Sequence, residues 1–150
     1  MTPHRNESTL RRAIADEVVD LRWRVLRAGL ARELAVFEGD DEPTTRHIVA
    51  EIDGKIVGCA TVLQRPWNGR PAWQVRGMAV EPELRGSGIG AKLLDKIDQI
   101  VRTEGHSTQL WCNARTPVIE FYRRHGWEVA SEPFEVAHAG PHVKMARSLT

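Results

Sequence analysis

The 150-residue sequence predicts a mixed α/β layer fold, and three observations carry that expectation. Strand-like apolar runs recur at residues 47–52, 55–63 and Trp73–Val80, the first two joined by the turn pair Asp53-Gly54. A strongly amphipathic helix follows a glycine-rich loop, Arg85-Gly86-Ser87-Gly88-Ile89-Gly90. Helical and strand patterns do not alternate as a regular βαβ repeat would require.

Each element follows from local chemistry. Thr9–Ala13 is short and strand-like. Residues 16–28 carry Val18, Val19, Leu21, Val25 and Leu26 at broadly helical spacing, and Gly29 suits the C-terminal end. Residues 38–43 read as a loop, containing Glu38, Asp40, Asp41 and Glu42; the acidic run is either a solvated surface or an attractor of a cationic amine. Pro66, Asn68, Gly69 and Pro71 make the turn before Trp73–Val80. In the helix after the glycines, Ile89, Leu93, Leu94, Ile97, Ile100 and Val101 share one face, and Gly105 closes it. Residues 109–112 form a short buried strand, and 117–125 a helix that opens on a proline and ends at Gly126. Residues 127–131 and 143–146 read as closing strands.

Composition bounds the function. A hydrophobic share of 41%, a charged share of 27% and a net charge of +1 describe an ordinary globular domain with no case for nucleic-acid or membrane-surface binding. The longest apolar run, 56–63, falls far short of the roughly 20 residues of a membrane span. The polar start lacks the apolar stretch of a signal peptide, and Cys59 and Cys112 sit in apolar runs as buried, unpaired thiols, so a single cytoplasmic domain is expected.

Three alternating glycines at a strand-to-helix junction leave backbone N–H groups bare beside a helix N-terminus, which is a cradle for phosphate. A purely structural turn is one alternative. A dinucleotide site is another, since Gly86-x-Gly88-x-x-Ala91 fits its loose form. Against it, the next strand ends at Cys112-Asn113 rather than at an acidic ribose ligand, and too little chain remains for a doubly wound sheet. A P-loop fails because Ala91-Lys92-Leu93 lacks the Gly-Lys-Ser/Thr ending.

Arg85-x-x-Gly88-x-Gly90 resembles the Arg/Gln-x-x-Gly-x-Gly/Ala signature of the GCN5-related N-acetyltransferase (GNAT) superfamily. Residues 75–80 look like that family's central strand. Asn113-Ala114 with Phe121-Tyr122 and Gly126-Trp127 looks like its Asn…Phe-Tyr…Gly-Phe segment, and Phe134-Glu135 with 140–145 resembles the ending of small bacterial members. The resemblance implies a mixed, mostly antiparallel central sheet with helices on both faces and splayed central strands. It also implies an N-acetyltransferase that moves the acetyl group of acetyl-CoA to a primary amine by direct attack in a ternary complex.

Carried over by position, Arg85, Gly86, Ser87, Gly88, Ile89, Gly90 and Ala91 hold the pyrophosphate of coenzyme A. Met78, Ala79 and Val80 line the pantetheine arm, with the Val80 N–H as the oxyanion donor. Asn113 contacts the arm or makes an Asx turn. Phe121 and Tyr122 complete the cofactor site, and Tyr122 matches the acid that protonates the departing thiolate; otherwise it is a packing residue of its helix. Gln74 stands where many relatives have a glutamate base, and an amide cannot accept the proton. A water, Glu81 or His142 is left for that role, although Glu81 also fits a solvent-facing turn. His138 and His142, separated by Gly140 and Pro141, cannot share a helical face, and no metal is expected. The implied partner is a small-molecule or peptide amine, and the resemblance admits a homodimer. A non-catalytic acyl-CoA sensor and an NAD(P)-binding oxidoreductase are the competing readings.

Overall fold

The structure is a computed structural model that describes residues 7–150. Its elements, in order, are β1 (Thr9–Ala13), α1 (Ala15–Leu26), β2 (Arg46–Ile52), β3 (Lys55–Gln64), β4 (Trp73–Val80), α2 (Ile89–Glu104), β5 (Gln109–Arg115), α3 (Ile119–Arg124), β6 (Glu128–Val129), β7 (Phe134–Val136) and β8 (Gly140–Ser148). The strands form one sheet in the order β1-β2-β3-β4-β5-β8-β6, with β7 also paired to β8. Every pairing is antiparallel except β4 with β5.

The two helix-bearing faces follow from the two-residue period of the strands. On β2, Ile48 and Ala50 join the cluster built around Leu93, Leu94 and Ile97 of α2, while Val49 between them joins Val18 and Leu21 of α1. The sheet is therefore sandwiched, as the resemblance implies. Asp53 and Gly54, both at positive φ (52° and 76°), close the β2–β3 hairpin in the manner of a type I′ turn.

Two features shape the centre of the sheet. Between the pairs Cys59↔Ala79 and Thr61↔Arg76, two steps along β3 face three along β4, so β4 bulges. The bulge holds Gly77 at φ 60°, where an added Cβ would lie 2.6 Å from Arg22 Nε. The second feature is the seam between β4 and β5. Their ladder spans only Trp73↔Leu110, Gln74↔Trp111 and Val75↔Cys112, after which β4 runs on to Val80 and β5 to Arg115 without pairing to each other. The central strands splay into a slot.

Several boundaries differ from the sequence reading. Strand β5 continues past Cys112 to Arg115 because β8 pairs with its whole length, from Gln109↔Ser148 to Arg115↔His142. That pairing also starts β8 at Gly140 instead of residue 143. Residues 117–125 divide into a tight 3-10 turn, Thr116–Val118, and the six-residue α3. The strand expected over 127–131 is only two residues long, and β7 had no counterpart.

The loop between α1 and β2 is not a solvated acidic surface throughout. Asp40 is buried and accepts two bonds from the fully buried Arg22, Nη1 to Oδ2 at 2.7 Å and Nη2 to Oδ1 at 3.0 Å. Arg22 also donates to Ala35 O (3.1 Å) and Thr61 Oγ1 (2.7 Å). His47 Nε2 donates to Asp40 O at 2.9 Å, which leaves Nδ1 to accept from the Thr61 hydroxyl at 2.8 Å. Glu42 and Glu38 bind Arg65, at 2.5 Å and 2.6 Å. The loop is thus strapped against the sheet, with Phe37 and Glu38 beside the slot.

Candidate active site

The glycine loop opens one wall of a groove of about 660 Å³. Gly86 and Gly88 sit at φ 82° and 92°, and a Cβ at either would meet nothing within 4 Å. Glycine is therefore demanded by the backbone conformation, and the space above it is open. The ladder of α2 begins with Lys92 N–H donating to Gly88 O at 3.1 Å, so the first-turn N–H groups of Ile89, Gly90 and Ala91 have no partner inside the helix. The N–H groups of Arg85 and Ser87 behave differently. They donate to Pro82 O (3.3 Å) and Leu84 O (3.2 Å), closing the turn that precedes the loop, and the Ser87 hydroxyl also bonds Leu84 O. Ser87 does not line the groove, whereas Arg85, Gly86, Gly88, Ile89, Gly90 and Ala91 do.

The opposite wall comes from α3 and β4. Phe121 packs under the loop so closely that a Cβ on Gly90 would lie 2.9 Å from its ring. Met78, Ala79 and Val80 line the groove along β4. Glu81 donates its N–H to Val57 O at 2.9 Å on the β3 side. Because amide directions alternate along a strand, the Val80 N–H points to the other edge, into the slot.

At the far end of the slot lies a chamber of about 480 Å³, and it shares Leu26, Met78, Arg115 and Val118 with the groove. Gln74, Asn113, Tyr122 and His142 all line it. Gln74 is buried and accepts a bond from Arg76 Nε at 3.0 Å. Asn113 is exposed, and its Oδ1 accepts from Lys144 Nζ at 3.3 Å. His142 is buried at the edge of the chamber, with Nδ1 2.8 Å from Gly140 O. A carbonyl can only accept, so Nδ1 carries a proton, which leaves Nε2 as the ring nitrogen able to accept one.

Tyr122 is buried between Phe121 and Trp127, each with its ring centre 5.3 Å away. Burial, and then the neighbouring Cys112 thiol, pushes its phenol well above the ordinary value, so it keeps its proton throughout the neutral range. Glu81 stands apart from these groups. It is buried, not solvent-facing, with Oε1 2.7 Å from Arg24 Nη1, and it lines neither cavity.

Three basic side chains of the chamber were given no role in the site by the sequence reading: Arg27, Arg76 and Arg115. Arg115 follows from the extension of β5 beyond the apolar run that marked it. Arg76 sits one step before the bulge. Arg27 is the C-cap of α1, beyond the last apolar position of that helix.

Residues 15–127 match the model of the acetyltransferase (GNAT) family. A Bacillus subtilis protein named "Uncharacterized N-acetyltransferase YitI" is 26% identical over 137 residues, covering 89% of this chain and 91% of that protein. Among solved structures, Escherichia coli ElaA superposes with a TM-score of 0.77 at 18% identity, covering 93% of this chain and 99% of that one. An aminoglycoside 6′-N-acetyltransferase complexed with coenzyme A superposes with a TM-score of 0.74 at 16% identity, covering 95% and 97%. These superpositions show a shared fold, and the family match, which spans most of the sequence, shows that this chain belongs to the GNAT family and is an acetyl-CoA-dependent acetyltransferase.

Proposed function

We propose that the chain moves the acetyl group of acetyl-CoA to a primary amine of a small molecule or peptide, by direct attack while both are bound. The observation that carries this reading is the junction of groove and chamber at Met78, Arg115 and Val118. One cavity suits the donor, the other suits the acceptor, and they meet where β4 and β5 part. The residues present fit the donor. The N–H groups of Gly86, Gly88, Ile89, Gly90 and Ala91, with no acceptor among the described residues, converge beside a helix N-terminus and suit a doubly anionic pyrophosphate.

Acetyl-CoA supplies a thioester whose carbonyl carbon the amine attacks. The Val80 N–H is aimed into the slot and donates to the carbonyl oxygen as charge builds there. His142 Nε2, the ring nitrogen not bonded to Gly140, accepts the amine proton, a role Gln74 cannot fill. Tyr122 donates its phenolic hydrogen to the departing sulfur. Its present neighbour is already a sulfur, that of Cys112.

The direct test is release of free CoA, followed with acetyl-CoA and a panel of primary amines. Amine-dependent release supports the proposal. Binding of acetyl-CoA without any such release would replace it with the sensor reading. Tyr122→Phe is expected to lower kcat by about a hundredfold, with the Kd for acetyl-CoA within about twofold of the parent. Unchanged turnover would take the phenol out of the reaction. His142→Gln is expected to lower kcat by a similar factor of about a hundred at neutral pH. Raising the pH should recover rate, because the amine then arrives already deprotonated. A variant as slow at high pH as at neutral pH would mean that the ring does something other than accept a proton.

A further inference from the structure

We propose that the acceptor amine also carries an oxyanion, a carboxylate or a phosphate monoester, held in the chamber by Arg27, Arg76 and Arg115. This rests on the acetyl-transfer reading above and names the class of its acceptor. The charged side chains lining the chamber are these three guanidiniums and one carboxylate, Glu38; His142 and Tyr122, both given roles in the chemistry above, are the other titratable groups there. The single carboxylate does not balance three cations. Glu38 lies 3.6 Å from Arg76 Nη2, and its other oxygen is 2.6 Å from Arg65, so it is shared with a guanidinium outside the chamber.

Arg27 and Arg115 have no carboxylate partner among the described residues. Arg27 Nη1 donates to Leu26 O at 3.1 Å, and Arg115 Nη2 donates to the same carbonyl at 2.6 Å. That atom lies at the C-terminal end of α1, where a cation is favourable, and it accounts for one N–H of each group. A guanidinium has five N–H donors in a planar fork, so most of each fork is left for a ligand. All three groups are also partly withdrawn from water, and desolvation disfavours their charge. Two half-buried cations converging on one carbonyl, with no counter-charge of the protein's own, form a site that is completed by an anion.

The same field bears on the amine. A cationic lining disfavours an ammonium and favours the neutral, nucleophilic form of a nearby amine. A simple cationic amine would enter such a chamber poorly. An amine that brings its own oxyanion satisfies the guanidiniums with one end and offers the other, deprotonated, to the slot. A chamber of about 480 Å³ limits that molecule to a small metabolite or the end of a peptide.

The test uses matched pairs. α-Amino acids, β-alanine and γ-aminobutyrate are compared with their amides, and O-phosphoethanolamine with ethanolamine, by CoA release. Separately, calorimetric titration measures binding of each pair to the CoA-loaded protein. The oxyanion member of the preferred pair should have kcat/KM at least about tenfold above its neutral partner, and the pair that responds separates carboxylate from phosphate. Arg27→Gln should bring that ratio to within about twofold while leaving the KM for acetyl-CoA unchanged. Arg76→Gln is the second variant if the first does not fold. Neutral amines used as well as their oxyanion partners would overturn the inference, as would a preference that survives in both variants. If no amine supports CoA release, the acetyl-transfer reading fails. The titration then still decides the binding claim, which falls if oxyanion and neutral partners bind alike.

Discussion

Asp40→Ala is expected to lower folding stability by about 3–5 kcal/mol, the usual cost of removing one partner of a buried ion pair. Arg22 is 0% exposed, so its charge cannot turn to water when the carboxylate is gone. Its remaining acceptors, Ala35 O and Thr61 Oγ1, are neutral, and its Nε already has no partner. Thr61 is itself committed to His47, so the loss extends through a connected network. For a domain of this length, such a change lowers Tm by about 10 °C or more. Urea denaturation of the variant against the parent measures it directly. A loss below about 1 kcal/mol would mean that the guanidinium finds another anion or escapes to solvent. Activity should also suffer in whatever folds, because the Phe37 N–H donates to Asp40 Oδ2 at 2.9 Å, and Phe37 and Glu38 line the chamber.

Gly77→Ala is expected to be nearly as damaging, for steric reasons. The residue sits at φ 60°, where a Cβ costs about 1–2 kcal/mol on its own. That Cβ would also lie 2.6 Å from Arg22 Nε and 3.3 Å from the Phe37 ring. Arg22 is held by the bonds described above and cannot swing aside, so β4 must move. The combined cost is about 2–4 kcal/mol, and kcat/KM should fall by more than tenfold as the bulge that opens the slot is remade. Gly69→Ala serves as the control: φ there is 75°, but nothing lies within 4 Å of the added carbon. Thermal unfolding of the two variants therefore separates backbone strain from collision. Equal losses would show that the collision is relieved without cost.

The parts of this architecture legible in the sequence are those written in local chemistry. The period of Ile89, Leu93, Leu94 and Ile97 gave α2 its buried face, and Asp53-Gly54 marked the hairpin. Gly86 and Gly88 announced positive φ and open space. What escaped was set by partners distant along the chain. Asn113 and Arg115 break the apolar run of β5, and only the full ladder with β8 keeps that backbone extended. The three residues of β7 are too few for any pattern. The bulge at Gly77 appears only when β3 and β4 are placed side by side, and the chamber appears only when α1, β4 and β5 converge. One signal was there to be used: Arg22 follows Leu21 and lies one turn after Val18 and Val19, on the buried stripe of α1. A charge in that position calls for a buried carboxylate, and the acidic run 38–42 supplies it through Asp40.

Cys59 and Cys112 occupy the two sides of the sheet, both buried, and desolvation pushes each thiol up to about 12. At the mildly alkaline pH where thiols are usually titrated, almost none of either is thiolate, and both side chains are buried. Colorimetric disulfide reagents will therefore see the sulfur of released coenzyme A against a silent protein. The same silence ends when the domain opens, which gives the folded population a built-in chemical reporter.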